Sequence, residues 1–312
     1  MKRRLIIDTD PGIDDAQAIM LAAAHPDVTI EALTVVAGNI GLEGTVANAC
    51  TILDMLGLDV PVYPGCQSAL VRPAAENAVH VHGSDGLGDV GFPKSGRVRE
   101  TTHAAVALVQ LANASPRELT LVAIGPLTNL AVALKLDPQL PEKFKELIIM
   151  GGAIHGRGNA SPAAEFNIYA DPEAAHLVFE TWPELTLFSW ETTEAHAVAA
   201  AQLQEWLALD TPQARFFQQI TANFIARVRR EYRRETFIAA DPLAMAVAVE
   251  LGIVTKMEKH YVGIELHGQH ARGQTVVDWR DRSGRRPQTN VVLEIDLGRY
   301  CELMSLALGD PK

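Results

Sequence analysis

DTDPGIDDA, residues 8–16, follows the apolar run Leu5–Ile7 and leads into the helical pattern of Asp15–Ala24. Asp8, Asp10, Asp14 and Asp15 put four carboxylates into eight positions at a strand-to-helix junction, and Pro11-Gly12 sets the bend. Asp10 just past the strand and Asp15 just inside the helix can converge on one point above the turn. Carboxylates gathered in this way repel one another unless a cation joins them, and a hard divalent ion with oxygen ligands, Ca²⁺ or Mg²⁺, removes that cost. The plainer reading, that Asp14 caps the helix, accounts for one aspartate and leaves the set unexplained. Asp8, lower in the strand end, reads as a hydrogen-bonding anchor.

Outward from this turn the same grammar repeats. Short runs rich in Val, Ile and Leu alternate with helical patterns, which predicts parallel βαβ units. Strands are expected over Ile30–Val36, Val60–Tyr63, Leu119–Ala123, Leu147–Met150 and Leu185–Phe188, with helices over Thr45–Leu56 and His103–Ala112. Residues 198–251 read as mainly helical. Runs at Tyr261–Glu265, Thr275–Trp279 and Val291–Ile295 read as strands closing the sheet. No repeat or linker divides the chain, so residues 1–312 are expected to form one α/β domain around an open, mainly parallel, Rossmann-like sheet flanked by helices. Ligands in such sheets sit outside the carboxyl ends of the strands. Four strands run into Gly-containing polar turns there: Asp10-Pro11-Gly12, Gly38-Asn39, Gly125-Pro126-Leu127-Thr128-Asn129 and Gly151-Gly152. Four such turns on one edge point to a single site.

Composition sets the limits. Hydrophobic residues make up 48% of 312, enough for a large core, and the formal charge of −11 argues against a nucleic-acid or anionic-membrane surface. A small polar substrate is compatible with it. Cys50, Cys66 and Cys301 show no CxxC spacing and suit a reducing compartment. The apolar run before Asp8, Leu5–Ile7, is only three residues long, where a secretory leader needs roughly 7–15 and a membrane span about 20. A soluble, cytoplasmic protein is expected.

The segment DTDPGIDDA resembles the amino-terminal fingerprint of the inosine–uridine-preferring nucleoside hydrolase family. VVAGN at 35–39, VHGSDGLG at 81–88, IGPLTNLA at 124–131, MGGA at 150–153, NASPAAEFNIYADPEAA at 159–175 and ADPLAMA at 240–246 continue the resemblance in order. It implies the nucleoside hydrolase fold, a bound Ca²⁺, a small-molecule nucleoside substrate drawn from purine or pyrimidine salvage, and a homodimer or homotetramer. It also implies roles. Asp10, Asp15, Asp241 and the carbonyl of Ile124 would hold the metal, with Asp10 the base for the attacking water. Asp14, Asn39, Asn159, Glu165 and Asn167 would hold the ribose hydroxyls, Met150 would pack beside the sugar, and His82 would lie near the base or reaction centre.

N-glycosidic cleavage builds positive charge on the sugar, as O-glycoside cleavage does, so surrounding carboxylates favour it. One departure stands out. Family members commonly carry a His before the last aspartate, where it protonates the departing base, and this chain has Ala240-Asp241. Purine-specific relatives stack the base on tryptophans, yet Ala240 and Gly83 supply none, and Trp182, Trp190, Trp206 and Trp279 lie elsewhere in the sequence. Three accounts follow: His82 is the acid, the base leaves with less help, or the substrate is a non-standard nucleoside with a better leaving group. Tyr232, then Phe224, are the aromatic candidates for stacking. The run RVRREYRRE, 227–235, reads as a solvated helix face, His80 as an exposed loop residue, and GSDGLGDVG as a flexible lid. Three readings compete: an aspartyl-phosphate phosphatase with Asp8 as nucleophile, which leaves the EFN and DPLA blocks unexplained; a nucleoside-binding or sensing protein without turnover; and a nucleoside phosphorylase, which would need a phosphate cradle that the sequence does not show.

Overall fold

The computed structural model describes residues 2–72, 77–232 and 235–309, and of 231 and 232 the backbone alone. Ten strands are present among them: β1 Arg3–Thr9, β2 Val28–Val35, β3 Val62–Pro64, β4 Leu119–Ala123, β5 Glu146–Met150, β6 Leu185–Phe188, β7 Val254–His260, β8 Val262–Ile264, β9 Thr275–Val277 and β10 Thr289–Ile295. Eight form one sheet in the order β3-β2-β1-β4-β5-β6-β10-β7. Every neighbouring pair is parallel except β10 with β7. The chain builds outward from β1 to β3 on one side, then crosses to β4 and builds the other way. The reversal lies between β1 and β4, whose following helices pack on opposite faces of the sheet and leave a crevice at its edge.

The sheet is covered on both faces, which explains why its strands lack polar alternation. Leu5 and Ile7 of β1 join one apolar layer and Ile6 the other; Val122 and Leu121, then Ile148 and Leu147, divide in the same way. The first layer carries the helices Ile13–Ala24, Leu42–Leu56 and Ala240–Val249, and the second Ala104–Ala114, Thr128–Leu136 and Pro172–Thr181. Ala240–Val249 is buried along its whole length and packs against Ile13–Ala24. Both are rich in alanine, which lets the backbones approach. No helix among the described residues is long and apolar enough to cross a membrane.

The expected mixed layers and mainly parallel sheet are present, with a revision at the carboxyl end. Only β10, of the three late runs, joins the main sheet, where it lies beside β6; β8 and β9 pair apart as a two-stranded sheet. The sheet is closed by β7, which carries Lys256, Glu258 and Lys259 and is half exposed. Such charges hide a strand from a reading of apolar runs, and they also discourage pairing of the free edge with another chain. Helix Ile13–Ala24 begins two residues earlier than its apolar pattern indicates.

One ion cluster ties three helix ends together. Arg299 grips Glu250 with two hydrogen bonds, Nη2 to Oε1 at 2.6 Å and Nε to Oε2 at 2.9 Å, and His25 Nε2 lies 3.1 Å from Oε1. The Arg299 contact pushes the Glu250 carboxyl down to about 2. A depressed carboxyl contributes stability that is present above its unfolded value and lost as pH falls through the folded one. Glu250→Gln is therefore expected to lower stability at pH 7 by about 1 kcal/mol, allowing for solvent screening. Urea unfolding should show the gap between wild type and variant closing as pH drops from about 4.5 toward 2.

Candidate active site

Asp10 leaves the end of β1 at the crevice and is 1% exposed. Its Oδ2 accepts the Asn39 backbone N–H at 2.7 Å, while Oδ1 has no partner among the described residues. Two glycines from neighbouring strand ends make room for it. A Cβ at Gly38 would stand 2.0 Å from Asp10 Oδ2, and one at Gly125 2.6 Å from Oδ1. The Asn39 amide donates to the Asp10 carbonyl at 3.0 Å and to Asp15 Oδ2 at 3.1 Å. Asp15 also accepts Thr9 Oγ1–H at 2.5 Å and reaches back to the Gly12 N–H at 2.9 Å. The helix cap is thus Asp15 and not Asp14, because the third helical position is the one whose carboxylate can reach back. Asp8 stands below, accepting Thr34 Oγ1–H at 2.6 Å and Asn129 Nδ2–H at 2.9 Å.

Carboxylate oxygens of Asp14, Asp15 and Asp241 lie within 4.8 Å of one another. No lysine or arginine among the described residues pairs with them; the nearest basic group is His82 Nδ1, 3.8 Å from Asp14. Burial first, then the charge of Asp14, pushes Asp15 up to about 7. Burial and the charge of Asp15 hold Asp10 well above the carboxylate range, and Asp241 rises by burial and the charges of Asp14, Asp15, Asp10 and Glu165. Every leading cause on Asp241 acts in one direction. Buried carboxylates with an orphaned oxygen, converging without a counter-charge, fit a hard metal ion, and the cluster can hold one.

A cavity of about 470 Å³ opens above this cluster, within the size range of small-molecule sites. Glu165 and Asn167 reach its wall from the start of the helix Phe166–Ala170. Glu165, 2% exposed, caps that helix through the Asn167 and Ile168 N–H groups and accepts the Gly152 N–H at 2.8 Å. Burial raises it to about 7. The Asn167 amide donates to the carbonyls of Ile124 at 3.1 Å and Met150 at 3.2 Å. The Ile124 carbonyl, expected as a metal ligand, therefore has an amide partner here. Met150 and Asn39 line the cavity, as does Asn159 at its exposed rim, where Oδ1 accepts the Phe166 N–H at 2.8 Å.

His82 is 7% exposed and is the last residue of the short helix Val79–His82 that follows β3 and leads into the Gly-rich loop. Its Nδ1 accepts the Ile13 backbone N–H at 3.0 Å, which places the proton of the neutral ring on Nε2. Burial lowers its pKa and Asp14 opposes that shift. Gly12 allows the approach, since a Cβ there would stand 2.6 Å from Nδ1. The loop is fastened where a loose lid is expected. Asn48 Nδ2 donates both to Pro11 O in the aspartate turn and to Asp85 O in the loop, each at 2.9 Å, and Asn223 Nδ2 donates to Gly88 O at 2.7 Å. Leu87 is buried between these points.

Ala240, Phe224, Phe237 and Trp190 also line the cavity. Trp190, which lies far from Ala240 and Gly83 in the sequence, is brought to the site by the fold. It follows β6 by two residues, and its place just past a strand end was the signal that could have found it. Arg227 and Val228 line the cavity too, so the helix Pro212–Tyr232 presents part of the basic run to the site, contrary to the solvated-face reading. His80 lines it while remaining exposed. Gln17, absent from the sequence reading, is fully buried on the first helix and reaches the same wall. The side chain of Tyr232 lies outside the described residues.

The family model described as inosine-uridine preferring nucleoside hydrolase matches residues 5–302. The inosine-uridine preferring nucleoside hydrolase of Leishmania major is 38% identical over the full length of both chains. The pyrimidine-specific ribonucleoside hydrolase RihB of Escherichia coli is 35% identical, with 95% of this chain and 93% of that one aligned. Among solved structures, an inosine-guanosine nucleoside hydrolase superposes with a TM-score of 0.93 at 33% identity, covering 99% of each chain.

The glycine contacts generate a direct test. Gly38→Ala must displace the Asp10 carboxylate, so ribonucleoside turnover is expected to fall by about 100-fold or more. Gly96→Ala, whose Cβ meets nothing within 4 Å, should leave it unchanged. Steady-state rates of the two variants at equal folded concentration provide the comparison.

Proposed function

Because the chain belongs to the inosine-uridine preferring nucleoside hydrolase family and is an enzyme that hydrolyses nucleosides, we propose a calcium-dependent N-ribohydrolase that releases free base and ribose with Asp10 as general base. The observation carrying this reading is the convergence of Asp14, Asp15 and Asp241, of which Asp14 and Asp241 line the cavity, together with the orphaned Oδ1 of the buried Asp10. Asp10, Asp15 and Asp241, with the Ile124 carbonyl once Asn167 turns to substrate, would hold the ion. When bound there, calcium supplies a positive centre that positions the attacking water and lowers its pKa.

The chain's own residues supply the rest. Asp10 takes a proton from the water as the new C–O bond forms at the anomeric carbon and the C–N bond breaks. Asp14, Asn39, Asn159, Glu165 and Asn167 grip the ribose hydroxyls, which fixes the ring against the water. Their carboxylates favour the positive charge that grows on the sugar. Met150 closes the wall beside the ring. The base departs toward Phe224 and Trp190, where an aromatic face can stack on it. Ala240 has no proton to give, and the Nε2–H of the neutral His82 ring assists the departing base by a hydrogen bond, so the base leaves with less help than an imidazolium would supply. The same reading makes residues 1–312 one domain, working in the cytoplasm as a homodimer or homotetramer in nucleoside catabolism and salvage.

Ribose release from a panel of nucleosides, without added phosphate, tests the proposal. Asp10→Ala should lower the rate by about 10³-fold, and 2′-deoxynucleosides should lose at least about 10²-fold against their ribo counterparts. No ribose from any member of the panel would sink the reading. Chelation of calcium with EGTA should abolish activity and also lower Tm, since an ion bound only by the folded state stabilises it. Both should return on adding calcium back.

A further inference from the structure

Gly158, Asn159 and Ala160 line the cavity from an irregular segment that runs from Gly152 to Glu165. The ends of the segment meet where Glu165 accepts the Gly152 N–H at 2.8 Å. Its second half is held from within: the Ala164 carbonyl accepts the Ala160 and Ser161 N–H groups at 3.2 Å each, and Asn159 Oδ1 accepts the Phe166 N–H at 2.8 Å. The first half is held by a side chain from a distant part of the sequence. Glu191 Oε2 accepts the Ile154 N–H at 2.8 Å, and Oε1 accepts those of His155 at 2.9 Å and Arg157 at 3.2 Å. The last of these bonds falls two residues before Asn159.

An acidic residue in the first turn of a helix ordinarily serves that helix. Glu191 stands in the first turn of Trp190–Ala195, yet the cap there is Ser189, whose Oγ accepts the Thr192 N–H at 3.2 Å. The Glu191 carboxylate is turned instead to the other segment. A turn closed by the Gly156 N–H on the Ala153 carbonyl, with Gly156 at φ +69°, leaves neighbouring N–H groups that together suit an anion. Hydrogen bonds to an ionised acceptor are roughly twice as strong as neutral ones. The helix that bears Glu191 begins at Trp190, which lines the same cavity and donates its own N–H to the Gly152 carbonyl at 2.9 Å. Glu191 itself stands behind the wall and does not line it. We propose that Glu191 is a positioning residue: it fastens the rim segment to the Trp190 helix, so that Asn159 and Trp190 are held at one spacing in the cavity wall. This rests on the nucleoside hydrolase reading above and adds a residue that touches neither substrate nor metal.

Glu191→Gln keeps the shape of the side chain while removing its charge and one of its two acceptors. Hydrogen–deuterium exchange, read by mass spectrometry on folded protein, should quicken about tenfold in peptides covering residues 152–158 and stay level in those covering 8–16. For ribose release from inosine and uridine, kcat/KM should fall about tenfold, mostly through KM, since a hydroxyl contact on the rim acts in ground and transition states alike. In an Asn159→Ala background the same substitution should cost less than about twofold, because the contact it serves is already gone. Equal losses in both backgrounds overturn the proposal and assign Glu191 to the fold at large. Unchanged exchange at 152–158, or quicker exchange with kcat/KM intact, overturns it as well. Glu191→Asp, which draws the carboxylate back by one methylene, supplies the same comparison should the glutamine variant fold poorly. Absence of ribose release from the wild-type chain would count against the hydrolase reading alone, and inosine binding by calorimetry then carries the same cycle for Glu191.

Discussion

Like charge in a dry place is the constraint around which this molecule is arranged. Asp10, Asp15, Asp241 and Glu165 are all buried, Asp14 stands beside them, and burial combined with mutual repulsion pushes the buried four upward. A folded chain keeps such a group only where something compensates. Backbone donors do part of this. Asp10 takes the Asn39 N–H, Asp15 the Gly12 N–H, and Glu165 three N–H groups around the start of a helix. The helices Ile13–Ala24 and Ala240–Val249 both begin at the cluster and turn the positive ends of their dipoles toward it. The remainder is what a divalent cation would neutralise.

The sheet order makes this gathering possible. Where the chain reverses, between β1 and β4, the helices after the two strands go to opposite faces of the sheet, and side chains from both strand ends meet over its edge. Asp10 stands at one lip and Ile124 at the other. Asp241 arrives from more than two hundred residues away because the helix it starts packs on the helix that starts at Ile13. The alanine content of that pair also sets the distance between Asp241 and Asp15, since bulkier side chains would hold the two helices further apart.

Much of this was legible in the residues. The βαβ alternation gave the layers, and DTDPGIDDA gave the aspartate turn, because strand periodicity and a carboxylate cluster are both local signals. What sequence could not supply was approach. Trp190 is an ordinary tryptophan until β6 is seen to end beside the same cavity. Glu191 looks like an ordinary first-turn acid until its carboxylate is found on the backbone of residues 154–157. The runs at Tyr261–Glu265 and Thr275–Trp279 read correctly as strands and incorrectly as members of the main sheet, since partner choice is a long-range matter. β7 escaped notice because an edge strand needs little apolar surface. The cap on the first helix shifted from Asp14 to Asp15 because the helix starts earlier than its apolar face does.

The amide of Asn48 has a bearing on how such a protein changes over time. One nitrogen holds the carbonyls of Pro11 and Asp85 together, and Asn223 holds that of Gly88 from another helix. All three acceptors are main-chain oxygens, which every amino acid possesses. These three bonds therefore grip the segment bearing His82 by its backbone. Gly86 and Gly88, whose Cβ atoms would strike Asn48 and the Ile220 carbonyl, and Asp85, whose carboxylate accepts three backbone N–H groups, are held to their identities. His80 and Val81 toward the cavity can be rewritten for a different ligand while the backbone stays pinned to the aspartate turn. The scaffold keeps one part of the machinery fixed and leaves its neighbour open to inheritance of new tastes.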